Sequence, residues 1–169
     1  MTRDALEIIR DAAPAARPRV GMILGSGLGR MAETAGGISI DYADLPGFPR
    51  AHVSGHNPKL TLGALNGTEV AILGGREHYY ENGRADAMRP ALETLKALGI
   101  DTLIATNACG SFREDIPPGN LMLIRDHINY SGMSPLIGEP SDSRFVNLTE
   151  AYDPGLRDVL KAAADAEDI

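Results

Sequence analysis

Short apolar runs alternate along the chain with longer stretches in which apolar residues recur every three or four positions. Strands interleaved with helices give that alternation, so an α/β fold is predicted. Val20-Gly21-Met22-Ile23-Leu24 reads as a buried strand, and the glycines after it turn tightly into a short helix holding Met31 and Ala32. Lys59–Leu65 and Thr68–Leu73 flank Asn66-Gly67, a dipeptide that accepts the positive φ angles of a two-residue hairpin turn. The central β-sheet is therefore predicted to be mixed, with helices flanking it. Residues 84–98 carry Met88, Ala91, Leu92, Leu95 and Leu98 at helical spacing and stop before Gly99, a good residue to end a helix. Residues 101–106 return as a strand, and Leu121-Met122-Leu123-Ile124 predicts another. The charged residues mixed into the first ten positions predict an amphipathic surface helix there.

The last element has a marked start and an unmarked end. Asp153 suits an N-cap, Pro154 suits the first helical position, and Leu156, Val159, Leu160 and Ala163 form an apolar face. Asp165, Glu167 and Asp168 then oppose the helix dipole, and no Gly or Asn cap follows. The chain is expected to stop partway through a larger architecture, residues 1–169 being a single but partial α/β domain.

Composition narrows the partners. With 169 residues, 43% of them hydrophobic, the chain is long enough to bury a core. Sixteen Lys and Arg against twenty-three Asp and Glu give a formal charge of −7, which disfavours nucleic acid and anionic lipid as partners. An anionic ligand needs locally gathered basic groups, for which Arg76, His78 and Lys59 are candidates. The single cysteine, Cys109, excludes an internal disulfide and offers no metal-binding spacing; its usual explanation is a small buried residue. A reducing cytoplasm is the expected setting, and no membrane span or signal peptide is visible in the sequence.

Three glycine-bearing turns follow apolar strands: Gly25-Ser26-Gly27-Leu28-Gly29, Gly74-Gly75-Arg76-Glu77-His78-Tyr79-Tyr80-Glu81, and Thr106-Asn107-Ala108-Cys109-Gly110-Ser111. Backbone N–H groups exposed at such turns suit an oxyanion, and the second turn adds a fixed cation, an imidazole, a phenol and a carboxylate. Two irregular stretches, 42–58 and 130–144, are dense in Pro, Gly and Ser. The first carries His52 and His56, so a mobile segment could bring an imidazole over a bound anion. Ser54-Gly55 between these histidines argues against a helical metal pair, and no metal site is expected. His52, His127 and Glu77 have only local polarity to recommend them and are read as structural.

With Ser54-Gly55-His56 and Leu123-Ile124-Arg125-Asp126-His127-Ile128-Asn129 added to the three turns, the chain resembles the trimeric type of purine nucleoside phosphorylase, with methylthioadenosine phosphorylases as more distant relatives. The resemblance runs from the first helix to the last residue. It implies a cytoplasmic homotrimer with shared active sites that uses inorganic phosphate as co-substrate, and no other cofactor, to split purine nucleosides into base and ribose 1-phosphate. By this resemblance Ser26, His56, Arg76, His78 and the Ala108 N–H hold phosphate, and Glu81 bonds to His78 and fixes its orientation. Tyr80 and Asn107 meet the nucleoside, and Phe145 enters a neighbouring subunit's sugar pocket. Inosine and guanosine are the implied substrates.

The chain departs from this family mainly by omission, since members continue beyond its final helix with the residues that grip the purine; apolar surface is therefore expected to be exposed. Asn82 stands before Gly83 where the family usually has glycine, and Cys109 and Ser111 replace smaller residues. A dinucleotide-binding dehydrogenase is the weaker alternative, because Arg30 stands where the third fingerprint glycine belongs and Asp41 and Asp44 come too early to hold a ribose. A nucleoside hydrolase has no need of Ser26 and Arg76 around an anion. A shortened binding protein for phosphate or nucleoside, without turnover or with impaired turnover, remains the other alternative.

Overall fold

The computed structural model describes residues 3–50 and 57–169. The chain divides into two compact units, the first running to Ala108 and the second covering Cys109–Ile169.

In the first unit, α1 (Ala5–Ala12) opens with Asp4, whose side chain accepts from the Glu7 N–H at 2.8 Å while Glu7 reaches back to the Asp4 N–H. That reciprocal cap satisfies N–H groups with no partner inside the helix. There follow β1 (Val20–Ile23), α2 (Arg30–Ala35), β2 (Ile38–Asp41), β3 (Lys59–Leu65), β4 (Thr68–Leu73), α3 (Tyr79–Asn82), α4 (Arg89–Leu98) and β5 (Thr102–Ala105). The strands form one sheet in the order β2-β3-β4-β1-β5. β1 runs parallel to both β4 and β5, whereas β3 is antiparallel to β2 and β4, so the sheet is mixed as expected.

Both faces of the central strands are covered, which explains their near-continuous apolar runs. Ile23, Leu60, Leu62, Ala71 and Leu73 pack with Ala5 and Ile9 of α1 and Ala91 and Leu95 of α4. Their alternates, Met22, Leu24, Val70 and Ile72, pack with Ala32 and Ala35 of α2. Leu60, Ile72, Leu73 and Leu95 are almost fully buried, and each such side chain stabilises the fold by about 1.5–3 kcal/mol. At the β3–β4 turn Asn66 and Gly67 take φ of 48° and 81°, the hairpin geometry the dipeptide predicts. Gly99 ends α4 with φ 105°.

Two expectations are corrected, and one strand is added. Helix α4 begins at Arg89, not at residue 84, because Pro90 lacks an N–H and fits only the first turn. Strand β2 is not predicted by the sequence pattern, since its Ile38-Ser39-Ile40-Asp41 alternation is only four residues long and only Ile40 is buried. The apolar run 121–124 is not a strand: it pairs with nothing among the described residues, and Leu121 and Met122 are exposed. An apolar run marks a segment that favours burial, but a ladder also needs a partner.

The second unit is mainly turns, with one short 3-10 turn at Asp142–Arg144 and helix α5 (Pro154–Ala166). Asp153 caps α5 by accepting from the Leu156 N–H at 2.8 Å. Leu156, Val159 and Leu160 on its apolar face are exposed, in keeping with the expected uncovered surface.

Candidate active site

Parallel pairing places Ile23 opposite both Leu73 and Ala105, so β4, β1 and β5 end level with one another. Their exits therefore emerge side by side at one edge of the sheet, the place where open α/β sheets bind ligands. Each of the three glycine-bearing turns is one of these exits.

The exits are tied together through Thr106. Its N–H and its hydroxyl both donate to the Ile23 carbonyl, at 3.0 and 3.2 Å, and its Oγ1 accepts from the Gly25 N–H at 2.8 Å. Its carbonyl accepts from Nη1 of Arg76 at 2.6 Å. Arg76 leaves β4 and Thr106 leaves β5, on either side of β1, so this bond passes over the Gly25 turn. A Cβ on Gly25 would lie 3.0 Å from the Thr106 carbonyl oxygen and 3.3 Å from Asn107 Cα. A side chain there would crowd the Thr106 backbone, and Ser26 beside it stands exposed.

Beyond Arg76 the chain enters α3. One Glu81 carboxylate oxygen accepts from the His78 N–H at 2.7 Å and lies 3.0 Å from His78 Nδ1. This pairing fixes the orientation of the ring. Tyr80 stacks on that ring with centroids 4.9 Å apart and planes 14° from parallel, although the phenol itself is 74% exposed. The Glu77 carboxylate accepts instead from the Asn82 amide. Lys59, a candidate anion ligand, has its ammonium 3.6 Å from the Asp41 carboxylate.

One support escaped the sequence reading. Tyr42 is buried and donates from its hydroxyl to the Gly75 carbonyl at 2.9 Å, holding the peptide next to Arg76. Burial pushes its phenol well above the ordinary tyrosine range. Its position at the head of an irregular stretch hid it, because burial by tertiary packing has no local signature there.

The other expected residues are placed as follows. Asn107 donates from its side chain to the Ala108 carbonyl at 3.2 Å, and both are exposed. In the second unit Phe145 is 75% exposed, with the Arg144 guanidinium 4.9 Å from its ring centre. His127 meets the edge of Tyr152 with centroids 5.6 Å apart. Cys109 is exposed, which corrects its reading as a buried residue: it follows the strand end instead of pointing into the core. His52 and His56 lie outside the described residues. Among the described residues no group of three or more His, Cys, Asp or Glu is placed to hold a metal ion, and no helix is long and apolar enough to cross a membrane.

Residues 19–169 match the family model described as "Phosphorylase superfamily". The chain belongs to that superfamily. Within the phosphorylase superfamily it is similar to the purine nucleoside phosphorylases that its motifs resemble. Purine nucleoside phosphorylase 1 of Geobacillus stearothermophilus is 43% identical over 98% of this chain and 63% of its own length. Isoform 2 of the Schistosoma mansoni enzyme, solved with cytosine and ribose-1-phosphate, superposes with a TM-score of 0.87 at 31% identity, covering 97% of this chain and 60% of that one. The Schistosoma mansoni enzyme solved with inosine gives 0.85 at 29% identity, over 96% and 59%. The chain thus spans about 60% of the length of these phosphorylases.

Proposed function

We propose that the chain serves the phosphorolysis of purine nucleosides, with inorganic phosphate displacing the base at C1′ to give free purine and ribose or deoxyribose 1-phosphate. The observation that carries this reading is the Arg76 bond to the Thr106 carbonyl across the Gly25 turn, which gathers a permanent cation and glycine-rich N–H groups at one strand edge. The relative solved with ribose-1-phosphate supports it.

In this reading the C1′–N bond breaks with its electron pair leaving on the purine, and positive charge builds on the sugar ring. A phosphate oxygen held beneath C1′ stabilises that charge and then forms the new bond, so positioning the anion supplies much of the rate. Ser26, His56, the guanidinium of Arg76, His78 and the Ala108 N–H hold the phosphate. Arg76 suits the task because its planar fork meets paired oxygens, and the Thr106 carbonyl fixes the plane of that fork. Glu81 holds the His78 ring; Tyr80, stacked on it, and Asn107 meet the nucleoside. Phe145, exposed in its own chain, serves a neighbouring copy in a cytoplasmic homotrimer. Phosphate is a co-substrate and no other cofactor takes part.

Release of hypoxanthine from inosine, followed with and without phosphate, tests the reading. Turnover that requires phosphate is the expected result; turnover that is indifferent to it would point to hydrolysis and overturn the proposal. The second reading is phosphate or nucleoside binding without turnover. Saturable phosphate binding in a titration with no product formed would establish that reading instead.

A further inference from the structure

We infer that Thr106 is a positioning residue that sets the phosphate-binding geometry of the two neighbouring strand exits, its hydroxyl fixing the Gly25-Ser26 turn and its carbonyl aiming Arg76. The inference rests on the phosphate reading above and goes beyond it, because Thr106 itself is assigned no contact with the anion.

A hydroxyl has one proton to give and lone pairs to offer. That of Thr106 uses both toward β1, giving its proton to the Ile23 carbonyl at 3.2 Å and accepting the Gly25 N–H at 2.8 Å. The two partners lie two residues apart and bracket the point where β1 ends. The bond to Gly25 therefore decides which way the following peptide, and with it Ser26, leaves the sheet. Gly25 is buried, so an N–H deprived of this acceptor loses its bond without ready access to water.

The carbonyl acts in the other direction. β4 and β5 are separated by β1, so their axes lie about 9–10 Å apart at the usual strand spacing. Arg76 crosses that gap and its Nη1 meets the Thr106 oxygen at 2.6 Å. A charged donor on a carbonyl makes one of the stronger protein hydrogen bonds, and a guanidinium held at one corner has its plane set. The missing Cβ of Gly25 keeps the crossing open, since a methyl group there would stand 3.0 Å from the same oxygen. One residue of β5's exit thus fixes groups on the exits of both β1 and β4.

Calorimetric titration of the full chain with inorganic phosphate, and separately with inosine, tests this in Thr106→Val, Thr106→Ser and Gly25→Ala. Valine keeps the shape and removes the hydroxyl, so phosphate affinity is expected to fall about tenfold, the effect of one lost hydrogen bond. Serine retains the hydroxyl and is expected to stay within about threefold of the parent. Gly25→Ala, which crowds the Thr106 carbonyl at 3.0 Å, is expected to weaken phosphate as valine does, while inosine affinity changes less than phosphate affinity in both. Parent-like phosphate binding by Thr106→Val, with Arg76→Ala still impaired, would overturn the positioning role and leave the phosphate reading standing. Equal losses for phosphate and inosine, not restored by serine, would also overturn it as general destabilisation. If Thr106→Val does not fold, Gly25→Ala decides, and unchanged phosphate affinity there overturns the inference. A parent chain that binds no phosphate overturns both readings together.

Discussion

At the scale of single residues, the site divides into groups proposed to touch an anion and groups that hold them. Arg76 belongs to the first class, and both its charge and its fork are needed in the proposed role. Arg76→Ala is expected to raise the phosphate KM by roughly 10- to 100-fold, the effect of losing a charged hydrogen bond. Arg76→Lys is expected to recover only part of this, because an ammonium cannot hold the Thr106 carbonyl and two phosphate oxygens in one plane. Phosphate-dependent rates measured beside a thermal melt separate loss of binding from loss of fold. Tyr42 belongs to the second class. Tyr42→Phe leaves the Gly75 carbonyl without its donor, and a loss of about 1–2 kcal/mol in urea unfolding is expected near neutral pH. The pH dependence has a definite sign. Burial raises the folded phenol's pKa above the unfolded value near 10, so its contribution is complete below that pH and is lost as pH rises further. The gap between parent and Tyr42→Phe is therefore expected to narrow above about pH 10, by up to about 1.4 kcal/mol per pH unit. A gap that stays constant from pH 8 to about pH 11 would contradict the buried, protonated phenol.

At the scale of elements, two glycines separate backbone conformation from close packing. Gly67 has φ 81° and an open surrounding, so Gly67→Ala meets only the left-handed backbone penalty, expected to cost about 1 kcal/mol. In Gly63 a Cβ would lie 2.3 Å from the Gly36 carbonyl and 2.5 Å from that of Ala35, where the end of α2 presses on β3. Gly63→Ala is expected to cost more than about 3 kcal/mol, as overpacking against backbone does. Urea midpoints of the two variants check the order, and similar costs would mean that α2 yields easily. The same contrast shows what was legible in the sequence. Asn66-Gly67, Gly99, Asp153 and the apolar strands β1, β3 and β4 act through local rules, so they could be read directly. Strand β2, the failed strand at 121–124 and the role of Tyr42 depend on partners distant in sequence, whereas the start of α4 is marked locally by Pro90. The site shows the same division: the three turns and Arg76 carry local chemistry, but the reason for Gly25 lies in the Thr106 carbonyl, 81 residues further on.

At the scale of the whole molecule, an acidic chain is proposed to bind a dianion, and its −7 charge makes local placement of cations decisive. The proposed trimer adds a further requirement, because Phe145 is 75% exposed in a chain whose proposed chemistry needs an apolar wall for the sugar. If each pocket takes Arg76 from one copy and Phe145 from the next, two inactive variants should restore each other. A chain carrying Arg76→Ala has a useful Phe145 to lend, and one carrying Phe145→Ala has an intact phosphate site to be completed. Equal, random mixing in a cyclic trimer makes about a quarter of the pockets whole, so about a quarter of parental phosphorolysis should return. The measurement is inosine turnover after the two chains are unfolded together and refolded, compared with each refolded alone. Recovery supports pockets built across copies. No recovery, with mixed oligomers verified by differential tagging, would place Phe145 outside the pocket and make each chain's site self-contained.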